Sequence, residues 1–301
     1  MFYRVNLFIK LLLLLGIALC NTHCAAVAPE SQEGYVSVSH GGRMYYQEQG
    51  KGEVVLLLHG HSLDHRMWEP QVPALVAKYR VICPDFRGYG RSSEQSETQQ
   101  FTHVDDIITL MDSLHVAQAH VVGLSMGAFV AGDMLAMYPD RMLSCVLASG
   151  GIRNTPGPHT PMDEAEKAQR DKEIAALKVQ GIEQYKREWI EILMKSGGTN
   201  REAMRPALTQ MVNDWTAWQP LHKEVRLFYA REAMDTLIRR RPEVPTLILS
   251  GKNDYSGRQP SMLQYLPHGQ HQVLPNCGHM MNMDQPEAFN KVLLEFLDNH
   301  H

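Results

Sequence analysis

Short, unbroken apolar runs recur along this chain, and they limit its fold more than any other feature. Val54-Val55-Leu56-Leu57-Leu58 is the clearest of them. Successive side chains of a strand point to opposite faces, so a strand of this composition is apolar on both sides. It has to be covered on both sides, as in a parallel sheet flanked by helices. Similar runs stand at Arg80-Val81-Ile82-Cys83, His120-Val121-Val122, Ser144-Cys145-Val146-Leu147, Thr246-Leu247-Ile248-Leu249 and His271-Gln272-Val273-Leu274. Between them, residues 65–78 and 102–115 carry apolar side chains at helical spacing. The alternation predicts an α/β fold with a mostly parallel central sheet flanked by helices. Residues 35–48 read as a β-hairpin, with Val36 and Val38 alternating with serines and Gly41-Gly42 at the turn.

The alternation stops after Gly151. Residues 152–240 begin with a Pro/Gly loop (Thr155-Pro156-Gly157-Pro158) and continue as helical segments, predicted at 163–180, 182–195, 201–213 and 221–240. Sheet periodicity resumes at Val244. The organisation expected is a core of residues 29–151 and 241–301 divided by a helical cap at 152–240.

The N-terminus reads differently. Arg4 and Lys10 precede the apolar run Leu11–Cys20, and Ala25, Ala26 and Ala28 follow, which is the pattern of a secretory signal peptide. The run is about half the length of a membrane-spanning helix, so residues 1–28 are expected to be cleaved and to leave no stable span in the mature chain. The expected location is therefore periplasmic or secreted. A lipid anchor on Cys20 is the lesser alternative, because Leu19 stands where such signals carry a small residue. Cys83, Cys145 and Cys277 remain, without metal-type spacing, and predict no disulfide framework. With a formal net charge of −4 and no basic stripe, the chain does not read as a nucleic-acid binder.

Gly123-Leu124-Ser125-Met126-Gly127 lies between the strand-like His120-Val121-Val122 and a helical stretch from Ala128. That setting turns a weak motif into a candidate nucleophile elbow, with Ser125 at its tip and small residues where the turn is tightest. The helix behind Ser125 would aim backbone N–H groups and a positive dipole end at the reacting centre. A serine nucleophile needs a base. Of 15 histidines, His279 is best placed, on the loop after the last strand-like run. An acid must hold its tautomer, and Asp254 lies just past the preceding strand. Asp284 competes, but its spacing to Glu287 fits a helix N-cap and capping box. The oxyanion donors expected are the backbone N–H groups of Met126 and His61.

Taken together, His59-Gly60 after a hydrophobic strand, the Trp68 spacing, Asp85-Phe86-Arg87-Gly88-Tyr89-Gly90-Arg91-Ser92, the elbow, Gly251…Asp254 and Gly278-His279 resemble the α/β-hydrolase superfamily, in its branch with an inserted helical cap. The resemblance covers roughly residues 35–151 and 244–299. It implies a Ser125–Asp254–His279 triad, an oxyanion pair at His61 and Met126, and structural roles for Asp85 and Arg87. Related dehalogenases and epoxide hydrolases have Asp at the position of Ser125, which argues against those activities. The reading is a serine hydrolase without metal or organic cofactor, most broadly a carboxylic ester hydrolase for a small to medium apolar molecule. Lactone, amide or C–C hydrolysis and haloperoxidase-like chemistry are alternatives, as is a non-catalytic ligand-binding protein. A zinc site at His59, His61, Asp64 and His65 is a further alternative, with one residue more than the known His-x-His-x-Asp-His spacing. Trp189, Trp215, Trp218, Met280, Met281 and Met283 are either core or the wall of an acyl pocket.

Overall fold

The computed structural model describes residues 31–153, 155–195, 197–223, 227–254 and 259–300. The signal peptide and Cys20 expected from sequence lie outside them. In chain order the strands are β1 (Gln32–Ser37), β2 (Arg43–Gly50), β3 (Val54–Leu58), β4 (Arg80–Pro84), β5 (Ala119–Leu124), β6 (Met142–Ala148), β7 (Thr246–Gly251) and β8 (Gly269–Leu274). They form an 8-stranded sheet in the order β1-β2-β4-β3-β5-β6-β7-β8. The β1–β2 and β2–β4 pairings are antiparallel, and every pairing from β4 to β8 is parallel.

The strand β3 shows why an unbroken apolar run was needed. Val55 and Leu57 join one buried cluster, whereas Leu56 and Leu58 join the other, on the opposite face. In chain order the helices are α1 (Val72–Leu75), α2 (His103–Ser113), α3 (Met126–Met137), α4 (Glu164–Gln180), α5 (Ile182–Lys195), α6 (Arg201–Asp214), α7 (Trp218–Leu221), α8 (Arg231–Arg240), α9 (Met281–Asp284) and α10 (Pro286–Leu297). Helices α4 to α8 all lie between β6 and β7. No described helix is long and apolar enough to cross a membrane. Cys83, Cys145 and Cys277 are buried free thiols.

Three local expectations are corrected. Residues 65–78 are not one helix but a 3₁₀ turn at His65–Trp68 and the short α1. Pro70 and Pro73 lack the N–H groups a continuous helix would use there. Asp284 does not cap α10, whose N-cap is Gln285 with Pro286 next. Asp284 ends α9 instead, fully buried, and accepts from the N–H groups of Gly198 (2.5 Å) and Gly278 (3.3 Å). Finally, of the helix predicted over 221–240, the described residues form only Leu221, which ends α7, and α8. Just upstream of α8 the backbone spends its hydrogen bonds on the core. The Leu227 carbonyl accepts from the His103 N–H (3.1 Å), and the Asp133 carboxyl accepts from Tyr229 (2.6 Å) and Ala230 (3.2 Å).

Asp133 makes this junction pH-dependent. Burial pushes its carboxyl from 3.8 up to about 7, although the two backbone N–H groups pull the other way. Between those values the folded chain binds a proton that the unfolded chain does not, so this contribution to stability is full below 3.8 and is lost as pH rises through about 7. Denaturant titrations at pH 5 and pH 8 should show a smaller loss of stability with rising pH for Asp133→Asn than for the wild type. An equal loss in both proteins would show that Asp133 does not carry the effect.

Candidate active site

Ser125 stands between β5 and α3, at φ 57° and ψ −112°. A non-glycine residue held there costs about 1–3 kcal/mol. Its backbone is pinned on both sides: the Ser125 N–H donates to Ala148 O (2.9 Å), and Ser125 O accepts from Phe129 N–H (3.1 Å). The flanking glycines are required by close approach. A Cβ on Gly127 would collide with the Leu58 carbonyl, and one on Gly123 with the Gly127 carbonyl. The serine hydroxyl is thus lifted above the carboxyl edge of the sheet, where the loops after the parallel strands gather.

His279 reaches Ser125 from the loop after β8. Its Nε2 lies 2.8 Å from Ser125 Oγ, and its Nδ1 is 3.3 Å from each Asp254 carboxylate oxygen. The supporting loops are laced together by Lys252 N–H to Leu274 O (2.9 Å) and Asn253 N–H to Cys277 O (3.0 Å). Ser149, buried after β6 with φ 51°, donates its hydroxyl to the His279 carbonyl (2.9 Å). The side chain of Asp254 is 5% exposed, so it meets the imidazole largely out of water. Asp254 is therefore the carboxylate at His279, and Asp284 braces the backbone of the same loop at Gly278.

The other two sequence-predicted residues flank Ser125, Met126 next to it in the chain and His61 lining the same cavity. Met126 opens α3, so its N–H has no carbonyl one turn back within the helix. The His61 loop lies against the elbow, and a Cβ on Gly60 would sit 3.7 Å from Ser125 Cβ. Among the described residues, neither the His61 nor the Met126 N–H donates to a protein acceptor.

What holds the His61 peptide was not read from the sequence. Phe86 N–H donates to His59 Nε2 (2.9 Å), so the His59 proton is on Nδ1, which donates to the Gly60 carbonyl (2.8 Å). That carbonyl belongs to the same peptide unit as the His61 N–H. Burial keeps the fully enclosed His59 below its ordinary pKa, hence neutral. The His61 side chain is held in turn, with Nδ1 2.7 Å from the Tyr89 hydroxyl. Desolvation pushes its imidazole down to about 4, with smaller contributions from His59 and Arg153, so it too is neutral.

These side chains open into a cavity of about 560 Å³. Trp189 and Leu193 from α5 and Met280 beside His279 form apolar walls, while Ile192 and Lys195 also line it. The other aromatic and thioether groups weighed as walls lie elsewhere. Trp215, Met281 and Met283 pack in the buried clusters, and Trp218 stacks on His222 at 4.5 Å.

The four residues of the zinc-like set do not converge. His59 uses both ring nitrogens in the bonds above, and Asp64 is taken by Arg66 through Oδ1 (2.9 Å) and Oδ2 (2.7 Å). The tightest ligand-type cluster among the described residues is Asp64, His65 and Asp85. There Asp85 already binds His65 Nδ1 (2.8 Å), the His65 N–H (2.7 Å) and the Arg91 N–H (2.9 Å). Arg87 forms a buried pair with Asp106 at 2.6 Å. Both residues thus tie the segment after β4 to its neighbours.

A serine on an elbow between strand and helix, faced by a histidine and an aspartate from the next sheet-edge loops, defines a protein of the α/β-hydrolase type. The chain belongs to the alpha/beta hydrolase family, whose profile matches residues 55–292. It is 28% identical over 262 residues to a candidate non-heme bromoperoxidase of Mycobacterium tuberculosis, covering 83% of this chain and 96% of that protein. It is 26% identical over 255 residues to a candidate carbamate hydrolase of a Caulobacter strain, covering 81% and 90%. Among solved structures it resembles a thermophilic esterase from Thermogutta terrifontis, with TM-score 0.72, 25% identity, and 90% and 99% of the two chains covered.

Proposed function

We propose that this chain is a serine hydrolase that cleaves carboxylic esters with small to medium apolar substituents through an acyl-enzyme, using Ser125, His279 and Asp254. The observation that carries the reading is the 2.8 Å contact of His279 Nε2 with Ser125 Oγ, opening into an apolar-walled cavity. In the first half-reaction, His279 takes the Ser125 proton as Oγ attacks the ester carbonyl, then passes it to the departing alcohol. In the second, His279 activates a water that releases the acid and restores Ser125. The His61 and Met126 N–H groups receive the oxyanion in both halves. Asp254 holds the His279 tautomer and offsets the charge of the imidazolium. The resemblance to an esterase at 25% identity supports the ester reading. We also propose that residues 1–28 direct export, on the basic, apolar and small-residue order of that segment.

The test is turnover of p-nitrophenyl acetate, butyrate and octanoate beside a lactone, an anilide and a bromide/peroxide assay. A fluorophosphonate should label Ser125 and stop the reaction. Ester turnover at least about tenfold above the other substrates in kcat/KM is expected, a difference of about 1.4 kcal/mol in transition-state binding. Preference for the lactone, the anilide or halide oxidation would replace the ester assignment, and labelling of no residue would overturn the serine mechanism.

A further inference from the structure

A hydrogen-bonded path runs from the helical insertion to the His61 loop. Trp189, on α5, donates its indole N–H to Ser62 Oγ at 2.7 Å. The Ser62 hydroxyl donates its own proton to the His61 carbonyl at 2.5 Å. A hydroxyl has one proton to give, so the direction of this relay is determined. Ser62 is fully buried and sits at φ 64°, which makes its backbone a fixed part of the turn. The indole also meets the His61 ring edge-on, with centroids 5.8 Å apart, and Trp215 meets it at 5.0 Å. Residue 61 is thereby held at its carbonyl and its ring from the insertion, and at Nδ1 from Tyr89. Its remaining polar backbone group is the N–H, the oxyanion donor of the reaction proposed above.

We propose that Trp189 is a positioning residue that makes the oxyanion donor at His61 depend on the seating of α5 over the core. The proposal rests on the ester-hydrolase reading given above. Its physical basis is that donors act on a developing charge only when already aimed at it, and a small misplacement costs much of their effect. Trp189 is also a cavity wall, so a residue that only shapes the pocket has to be told apart from one that aims the donor.

The experiment compares wild type, Trp189→Phe, Ser62→Ala and the double variant on p-nitrophenyl butyrate. It adds the dissociation constants of an alkyl trifluoromethyl ketone, which forms an oxyanion on the serine, and of the matching alkane, which forms none. The relay predicts that each single variant lowers kcat about tenfold with KM within about twofold, less than deletion of a whole donor. The double variant should be no worse than the weaker single variant by more than about twofold, because both changes break one path. Trifluoromethyl ketone affinity should fall in step with kcat/KM while alkane affinity stays put. A loss confined to KM, equal weakening of both inhibitors, or unchanged kcat in Ser62→Ala would overturn the proposal. Wild type that neither hydrolyses the ester nor binds the ketone covalently would instead remove the reading on which it rests.

Discussion

Replacing Ser125 by alanine is expected to lower kcat/KM for p-nitrophenyl esters by roughly 10⁴–10⁶-fold, the range seen when a triad nucleophile is removed. Binding of an alkane or acid product should persist, because the walls formed by Trp189, Leu193 and Met280 do not depend on the hydroxyl. The backbone supplies a second, independent readout. Ser125 is held at φ 57°, ψ −112° because Gly123 and Gly127 let the turn close against Leu58 and because Ala148 and Phe129 pin it. Alanine inherits that strain, whereas glycine does not. Ser125→Gly should therefore be more stable than Ser125→Ala by about 1–2 kcal/mol, with both inactive. Hydrolysis by Ser125→Ala at the wild-type rate would sink the serine mechanism. Equal melting curves for Ser125→Ala and Ser125→Gly would show that the elbow stores no strain.

Asp254→Asn should cost about 10³–10⁴-fold in kcat/KM at neutral pH, since an amide facing His279 Nδ1 can favour the wrong tautomer and carries no charge to balance the imidazolium. Asp284→Asn should behave in the opposite way. Asp284 is fully buried and accepts two backbone N–H groups, so the amide would lose charge-assisted bonds and lower stability by about 1–3 kcal/mol. Its kcat/KM in the remaining folded protein should stay within about tenfold of wild type. Measuring activity and denaturant midpoint on both variants separates the two carboxylates. An Asp284→Asn variant that folds normally and loses activity more than Asp254→Asn would reverse the assignment.

Much of the architecture was legible because β3 to β7 advertise burial on two faces. Each apolar run could be satisfied only as a strand covered from both sides, and the helices between them followed from helical spacing. The long insertion helices were also legible: α5 spans Ile182–Lys195, the range its periodicity predicts. The break in residues 65–78 was local, set by Pro70 and Pro73, whereas the other two misreadings fell where tertiary bonds overrode local pattern. The residues before α8 have the composition of a helix, but Leu227, Tyr229 and Ala230 bond to His103 and Asp133, which lie far away in the chain. Asp284 and Glu287 have the spacing of a capping box, but the Asp284 carboxylate turns to Gly198 and Gly278 instead.

The sequence by itself determined a mostly parallel sheet flanked by helices, a long helical stretch after β6, and the order of Ser125, Asp254 and His279 along the chain. These follow from periodicity and from residue type at a strand end, which are local properties. Only the tertiary structure decided which carboxylate faces His279, that His59 orients the Gly60–His61 peptide, and that Trp189 reaches Ser62 across the insertion. Those bonds join residues from separate elements, and a hydrogen bond is set by distance and angle in space. Spacing along the chain carries no record of either until the fold has brought the partners together.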